Sequence, residues 1–210
     1  MRIFYFFFHL NIFKKMQVVQ LNGTLRSGLG KKATRDDRSQ QAIPCVLYGG
    51  GDPVHFNAQP LEIRHVIYTP DFKIAEITVD GNTYRSILKS AQFHPVTDKL
   101  LHADFLRLTP NVAIKAEIPV RFRGQSPGVK VGGKLLQKVR KVAVKCTPEA
   151  LVSELFVDIS TLELGQTTRV RNVEIPEGIE LMMPGALPVA SIEIPRALRA
   201  AAAAEAKAKK

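Results

Sequence analysis

The stretch Phe72-Lys-Ile-Ala-Glu-Ile-Thr-Val79, then Asp80-Gly81-Asn82, then Thr83-Tyr-Arg-Ser-Ile-Leu88 decides the fold class. Apolar and polar residues alternate on both sides of an Asp-Gly pair. Successive side chains of a strand point to opposite faces, so this pattern gives each arm one face for a core. Asp-Gly accepts the positive φ angles that a tight hairpin turn demands. The stretch predicts a β-hairpin.

Moving outward, the same signature recurs. Residues 17–26, 43–48 and 54–57 read as strands upstream of the hairpin. Between the first two lie a flexible basic turn at 27–31 and a short helix at 32–41, in which Asp36 and Asp37 leave little apolar stripe. Gly49-Gly50-Gly51 costs backbone entropy, so that turn is either loose or held by contacts. Downstream, 102–108 is a half-buried strand, Thr109-Pro110 closes the first unit, and the domain boundary falls at Asn111–Val112.

A second β-rich unit follows. Residues 113–122 form a strand whose interior Pro119 predicts an edge or a bulge. A glycine-rich excursion occupies 124–133, and 134–146 reads as one long strand with a hint of a helical turn at Leu135-Leu136. Residues 155–159, 168–173 and 188–194 complete the set. Short strands at this spacing indicate barrels or sandwiches, a mainly β chain with domains at 16–110 and 111–195.

The chain of 210 residues carries a formal charge of +11, which argues for a polyanionic partner but not for any fold. Its distribution matters more. Residues 1–15 contribute +3 and 196–210 contribute +4, while each domain holds 11 basic and 9 acidic residues, for +2 apiece. A binding site must therefore be a local arrangement. The densest one in the first half lies between Gly23 and Gly49, with five basic and two acidic residues.

The termini read as appendages. The aromatic run Phe4-Tyr-Phe-Phe-Phe8 is too short for a membrane span, and Lys14-Lys15-Met16 offers no small-residue cleavage site. Met16 opens a well-formed strand pattern, so 1–15 is expected to be a disordered or non-native extension, with a targeting segment as the alternative. The Ala/Lys-rich 196–210 is a basic tail suited to nonspecific phosphate attraction.

Catalytic chemistry finds little support. Cys45 and Cys146 sit in separate apolar runs and suit two buried thiols rather than a disulfide or a zinc site. No serine occupies a nucleophile elbow, and 124–133 lacks the fixed glycines and terminal Lys-Ser/Thr of a phosphate loop. No enzyme, cofactor or metal ion is expected. A nucleic-acid reading fits better. Arg26, Lys31, Lys32, Arg35 and Arg38 surround a glycine-bearing turn and suit phosphate contacts, the alternative being a solvated basic loop. Lys89, Gln92 and His94 follow the hairpin, and the amide and imidazole can read donor–acceptor patterns that an ammonium cannot. His102 and Asp104 share one strand face. A carboxylate in a phosphate-facing surface is costly unless it accepts from a base amino group; the competing role is a salt bridge to Arg107 or Arg85. Tyr48 suits packing on a ribose or base, or else a core position.

These residues carry a resemblance. Gly30-Lys-Lys-Ala-Thr-Arg35 with Ile43-Pro-Cys-Val-Leu-Tyr-Gly49, Gln92-Phe-His-Pro-Val96, and Leu101-His-Ala-Asp-Phe105 together resemble the bacterial large-subunit ribosomal protein family that binds 5S ribosomal RNA. The likeness is to its long form, related to the general stress protein Ctc. Gly128-Val-Lys-Val-Gly-Gly133, Cys146-Thr-Pro148 and Val157-Asp-Ile-Ser160 extend the likeness to that family's second β domain. The resemblance implies a small β-barrel with short helices that docks on an irregular internal loop of 5S ribosomal RNA. It puts Gln92, His102 and Asp104 at RNA contacts and makes Arg26, Lys31, Arg35 and Arg38 backbone contacts, with Lys89 and Tyr48 as weaker assignments. It further implies neighbouring large-subunit proteins and ribosomal RNA as partners, a monomeric place in the cytoplasmic ribosome, and no membrane. A stress-conditional ribosome-associated factor or a transfer-RNA-type binding module is the alternative. One departure stands at 35–41, where Asp37 occupies a position at which the family has an apolar residue.

Overall fold

The computed structural model describes residues 16–196. The expectations for 1–15 and for the tail beyond Arg196 lie outside them. The chain divides into two compact units. Among the described residues, one comprises 16–116 and Cys146–Ser153, and the other Glu117–Lys145 and 154–196.

The first unit is a closed barrel of β1 (Val18–Leu25), β2 (Ile43–Tyr48), β3 (Val54–Ala58), β4 (Ile74–Val79), β5 (Asn82–Phe93) and β6 (Leu100–Arg107), in the order β1-β3-β2-β6-β5-β4. The hairpin is present as β4 and β5, with Val79 opposite Asn82. Its two turn residues, Asp80 and Gly81, have φ of 49° and 79°, the mirror-image turn whose twist matches the strands it joins. Closure comes from two parallel pairings, β1 with β4 and β2 with β6. Closure also removes every open edge that could pair with another chain.

The barrel interior follows from the alternation. Leu21, Cys45, Leu47, Phe56, Ile77, Ala103 and Phe105 are buried within it, and the rings of Phe56 and Phe105 lie 6.0 Å apart. Full burial of such a side chain is worth about 1.5–3 kcal/mol, so a few of them specify the strand register. Burial pushes the Cys45 thiol up to about 12, aided by the charge of Asp104, so it stays protonated and unreactive.

Two short helices accompany the strands. Helix α1 (Lys31–Ser39) follows β1, and α2 (Pro60–Ile67) follows β3. The periodicity left α2 unassigned; Pro60 sits in its first turn, and Ile63 and Val66, three residues apart, both enter the barrel core.

After β6 come β7 (Ile114–Arg123), α3 (Pro127–Lys130), β8 (Lys134–Gln137), β9 (Lys141–Cys146), β10 (Leu155–Asp158), β11 (Thr167–Arg169), β12 (Val173–Glu174), β13 (Ile179–Leu181) and β14 (Pro188–Glu193), all in the second unit except the start of β7 up to Ala116 and the last residue of β9, Cys146. They form a five-stranded sheet, β12-β10-β7-β9-β13, and a three-stranded sheet, β11-β14-β8. Several expectations change here, among them the strand at 168–173, which a 3-10 turn at Val170–Asn172 divides into β11 and β12 of different sheets. Pro119 lies in a central strand, not at an edge. Val120 gives its N–H to Arg140, and the ladder to β10 starts only at Val120, so no bond is required of the Pro119 nitrogen. The expected long strand at 134–146 breaks after Gln137, and its halves join different sheets. Leu135-Leu136 belongs to strand β8, while the helical turn, α3, lies earlier, inside the glycine-rich excursion. The mainly β reading with short helices holds for both units.

Candidate nucleic-acid interface

Because Cys45, Leu47, Phe56, Ala103 and Phe105 point inward, their neighbours Val46, Tyr48, His55, Asn57, His102 and Asp104 point out. Three ladders bring these together. His55 stands opposite Val46, Val46 beside Asp104, and Asp104 opposite Ser90, making one row across β3, β2, β6 and β5. Next to it, Gln92 stands opposite His102. Strand β5 runs to Phe93, so Lys89 and Gln92 lie on the hairpin's long second arm rather than after it, and Lys89 is the extra residue at a register shift.

The polar centre of this face is Asp104. One oxygen accepts from the Ser90 hydroxyl at 2.6 Å, and the other lies 2.9 Å from His102 Nδ1. The latter approach is out of line for a hydrogen bond, and Nδ1 has no other partner among the described residues. A carboxylate has about four acceptor directions, so Asp104 retains capacity for an incoming amino group. It pairs with neither Arg107, whose guanidinium lies over the Tyr84 ring at 4.4 Å, nor Arg85, which meets Glu76 at 3.7 Å. The Gln92 amide is exposed and makes no hydrogen bond within the described residues. Tyr48 ends β2 on the outside, 36% exposed, which removes the core alternative. Burial of its ring, and then the charge of Asp104, raise its phenol above the ordinary range.

Helix α1 packs along β2 beside this face and contains no buried residue. Lys31, Lys32 and Arg35 are exposed and have no side-chain partner among the described residues. The other predicted cations are engaged. Arg26 sends Nε and Nη2 to Asp37 at 3.0 and 2.9 Å and Nη2 to Thr34 at 3.1 Å, leaving its side chain 6% exposed. Arg38 donates twice to the Leu101 carbonyl, at 3.2 and 3.0 Å, yet stays on the surface. Lys89 reaches the Lys115 carbonyl at 3.1 Å. Asp37, which stood where an apolar residue was expected, receives the Asn57 amide at 3.0 Å as well as Arg26.

Two further residues sort differently from expectation. His94 turns inward on its own loop, its Nδ1 accepting from the N–H groups of Val96 and Thr97 at 3.3 Å, so it shapes the turn to Lys99. His55 was missed. The alternation of Phe56 and Ala58 as core residues marks it as outward, but only the ladder to Val46 shows which strand it faces. The triple glycine is contact-held. Gly49, Gly50 and Gly51 have φ of 96°, 72° and 153°, and a side chain at Gly50 would come within 2.6 Å of Thr109 Oγ1.

Among the described residues no group of three or more His, Cys, Asp or Glu could hold a metal, and no helix is long and apolar enough to cross a membrane. The surface is thus a band of exposed cations flanking a small mixed set of amide, imidazole, carboxylate and hydroxyl groups. Cations can neutralise phosphates, and such polar groups can pair with base edges.

Comparison with known proteins gives this surface its context. Residues 21–105 match the Ribosomal L25p family, and residues 113–196 match the family described as Ribosomal protein TL5, C-terminal domain. The large ribosomal subunit protein bL25 of Porphyromonas gingivalis is 41% identical over 189 residues, covering 89% of this chain and 98% of the relative. Those of Phocaeicola vulgatus and Cytophaga hutchinsonii are each 38% identical, covering 91% of this chain and 100% of each relative. At that identity and coverage across both units, the chain belongs to the bL25 family of large ribosomal subunit proteins.

Proposed function

We propose that this chain holds 5S ribosomal RNA with the outer face of its barrel, as a structural and non-catalytic component of the large ribosomal subunit. Lys31, Lys32 and Arg35 on α1 contact phosphates, with Arg38 contributing the part of its guanidinium not spent on Leu101. Gln92, His102 and Asp104 contact base edges, Tyr48 packs on a ribose or base, and His55 extends the same row. Arg26 and Lys89 serve the protein's own architecture. The unit at 16–110 carries this face, and the domain at 111–195 meets neighbouring ribosomal components.

The observation that carries the reading is the pairing of Ser90 with Asp104 and Gln92 with His102 on adjacent strands beside a helix that exposes Lys31, Lys32 and Arg35. A carboxylate on an anion-binding face weakens binding unless it accepts from a base amino group, and such a contact discriminates between bases by about 1–3 kcal/mol. Asp104→Ala should therefore reduce preference for the matched 5S RNA loop over generic duplex RNA. Lys31→Ala should weaken both alike and lower the salt slope by about 0.9. Filter binding of both variants to both RNAs checks this. Equal losses on the two RNAs for Asp104→Ala sink its role as a specificity contact.

A further inference from the structure

The nine residues of α1 contain none that is buried, and a helix so short is not stable by itself. No apolar anchor sets its direction, so its direction is set by hydrogen bonds. Arg38 supplies two of them, to the Leu101 carbonyl on β6, and the others converge on one carboxylate. Asp37 Oδ2 accepts from Arg26 Nε and is ion-paired with Nη2 at 2.9 Å, and Oδ1 accepts from Asn57 Nδ2 of β3. Arg26 also reaches Thr34, one turn earlier on the helix, whose hydroxyl donates to the Gly30 carbonyl at 2.8 Å. The Arg26 backbone is itself fixed, since its N–H donates to His55 on β3 at 3.0 Å. Both turns of α1 are therefore tied to β1 and β3 through two charged side chains that are 6% and 23% exposed. Enclosure of that kind protects the pair from salt screening.

We propose that Arg26 and Asp37 are positioning residues for RNA binding: an ion-paired clamp that orients α1 so that Lys31, Lys32 and Arg35 meet phosphates, with Arg26 itself touching no RNA. The proposal rests on α1 facing RNA, as argued above. It reverses the simple electrostatic expectation. A negative charge on a cationic helix repels phosphate, so on charge alone any neutral residue at 37 improves binding. A clamp makes the outcome depend on what replaces the carboxylate.

Asp37→Ala and Asp37→Asn remove the same charge, but only the amide keeps an oxygen facing the Arg26 fork. Filter binding of the full chain to a 5S ribosomal RNA transcript, across a salt series, separates the two ideas. The clamp requires Asp37→Ala to weaken binding about tenfold, the scale of one broken network contact, while Asp37→Asn stays within about twofold of the parent chain. Equal tightening by both substitutions overturns it. Arg26→Met should weaken binding as Asp37→Ala does, and the double variant should lose nothing further. A further loss, with the salt slope falling by about 0.9, makes Arg26 a phosphate contact and also overturns the proposal. Hydrogen exchange guards against a folding artefact: in Asp37→Ala the amides of α1 should exchange faster while those of β2 stay protected, and unchanged α1 exchange refutes the clamp whatever the RNA does. Lys31→Ala is the control for the underlying reading. If it leaves binding untouched, α1 does not face RNA, and the exchange measurement still decides whether the clamp exists.

Discussion

The barrel's two helices, α1 and α2, are nearly equal in length and are held in opposite ways. Helix α2 inserts Ile63 and Val66 into the barrel core. Helix α1 buries nothing and is fastened by Arg26, Asp37, Asn57 and the Arg38 bonds to Leu101. A helix that contributes to the core is constrained by packing and stabilises the fold. A helix that contributes nothing to the core keeps all its outward positions for something else, and here those positions are Lys31, Lys32 and Arg35. The difference separates the element that stabilises the barrel from the element proposed above to meet RNA.

The largest effect falls on α2. Ile63→Ala removes a side chain that is 1% exposed and leaves a cavity, which should cost about 2–5 kcal/mol and lower the thermal midpoint. RNA affinity per folded molecule should not change. Denaturant unfolding, with binding measured below the transition, tests both halves, and a drop in affinity without loss of stability breaks the division. Next comes α1. Replacing Lys31, Lys32 and Arg35 together by Ala removes three exposed charges with no side-chain partner among the described residues, so stability should move by no more than about 0.5 kcal/mol. The salt dependence of RNA binding should flatten by about 2.7 slope units. A stability loss comparable to that of Ile63→Ala shows that α1 also supports the barrel.

How much of this was legible beforehand follows the same line. The hairpin at 72–88 and the inward positions of β2 and β6 could be read because strand alternation is local and strong. The pairing of Gln92 with His102 was not, since a ladder is a long-range property and a register shift at Lys89 displaces it. Helix α2 escaped because its core contact, Ile63, Val66 and Ile67, is a single i, i+3, i+4 repeat within eight residues, too brief to stand out as a period. Asp37 was legible as an anomaly but not as a solution. Its partners Arg26 and Asn57 lie 11 and 20 residues away, and no spacing rule connects them. Formal charge misled in the same way, because it counts Arg26 and Lys31 alike while one is enclosed and the other is free.

The smallest expected effect is the most exacting test of the comparison. Leu61, in the first turn of α2, is 73% exposed, so Leu61→Lys gives up little burial and should shift stability by no more than about 0.5 kcal/mol. It gives α2 one more cation of the kind that α1 presents. If only α1 faces the RNA, that cation neutralises no phosphate. Its influence then reaches the RNA solely as a field damped over a Debye length of about 8 Å at physiological salt. Affinity at that salt and the slope against salt should both stay where they are. A slope increase of about 0.9 means that a new phosphate contact has formed at α2. In that event the two helices share one RNA surface, and burial in the core does not exempt α2 from it.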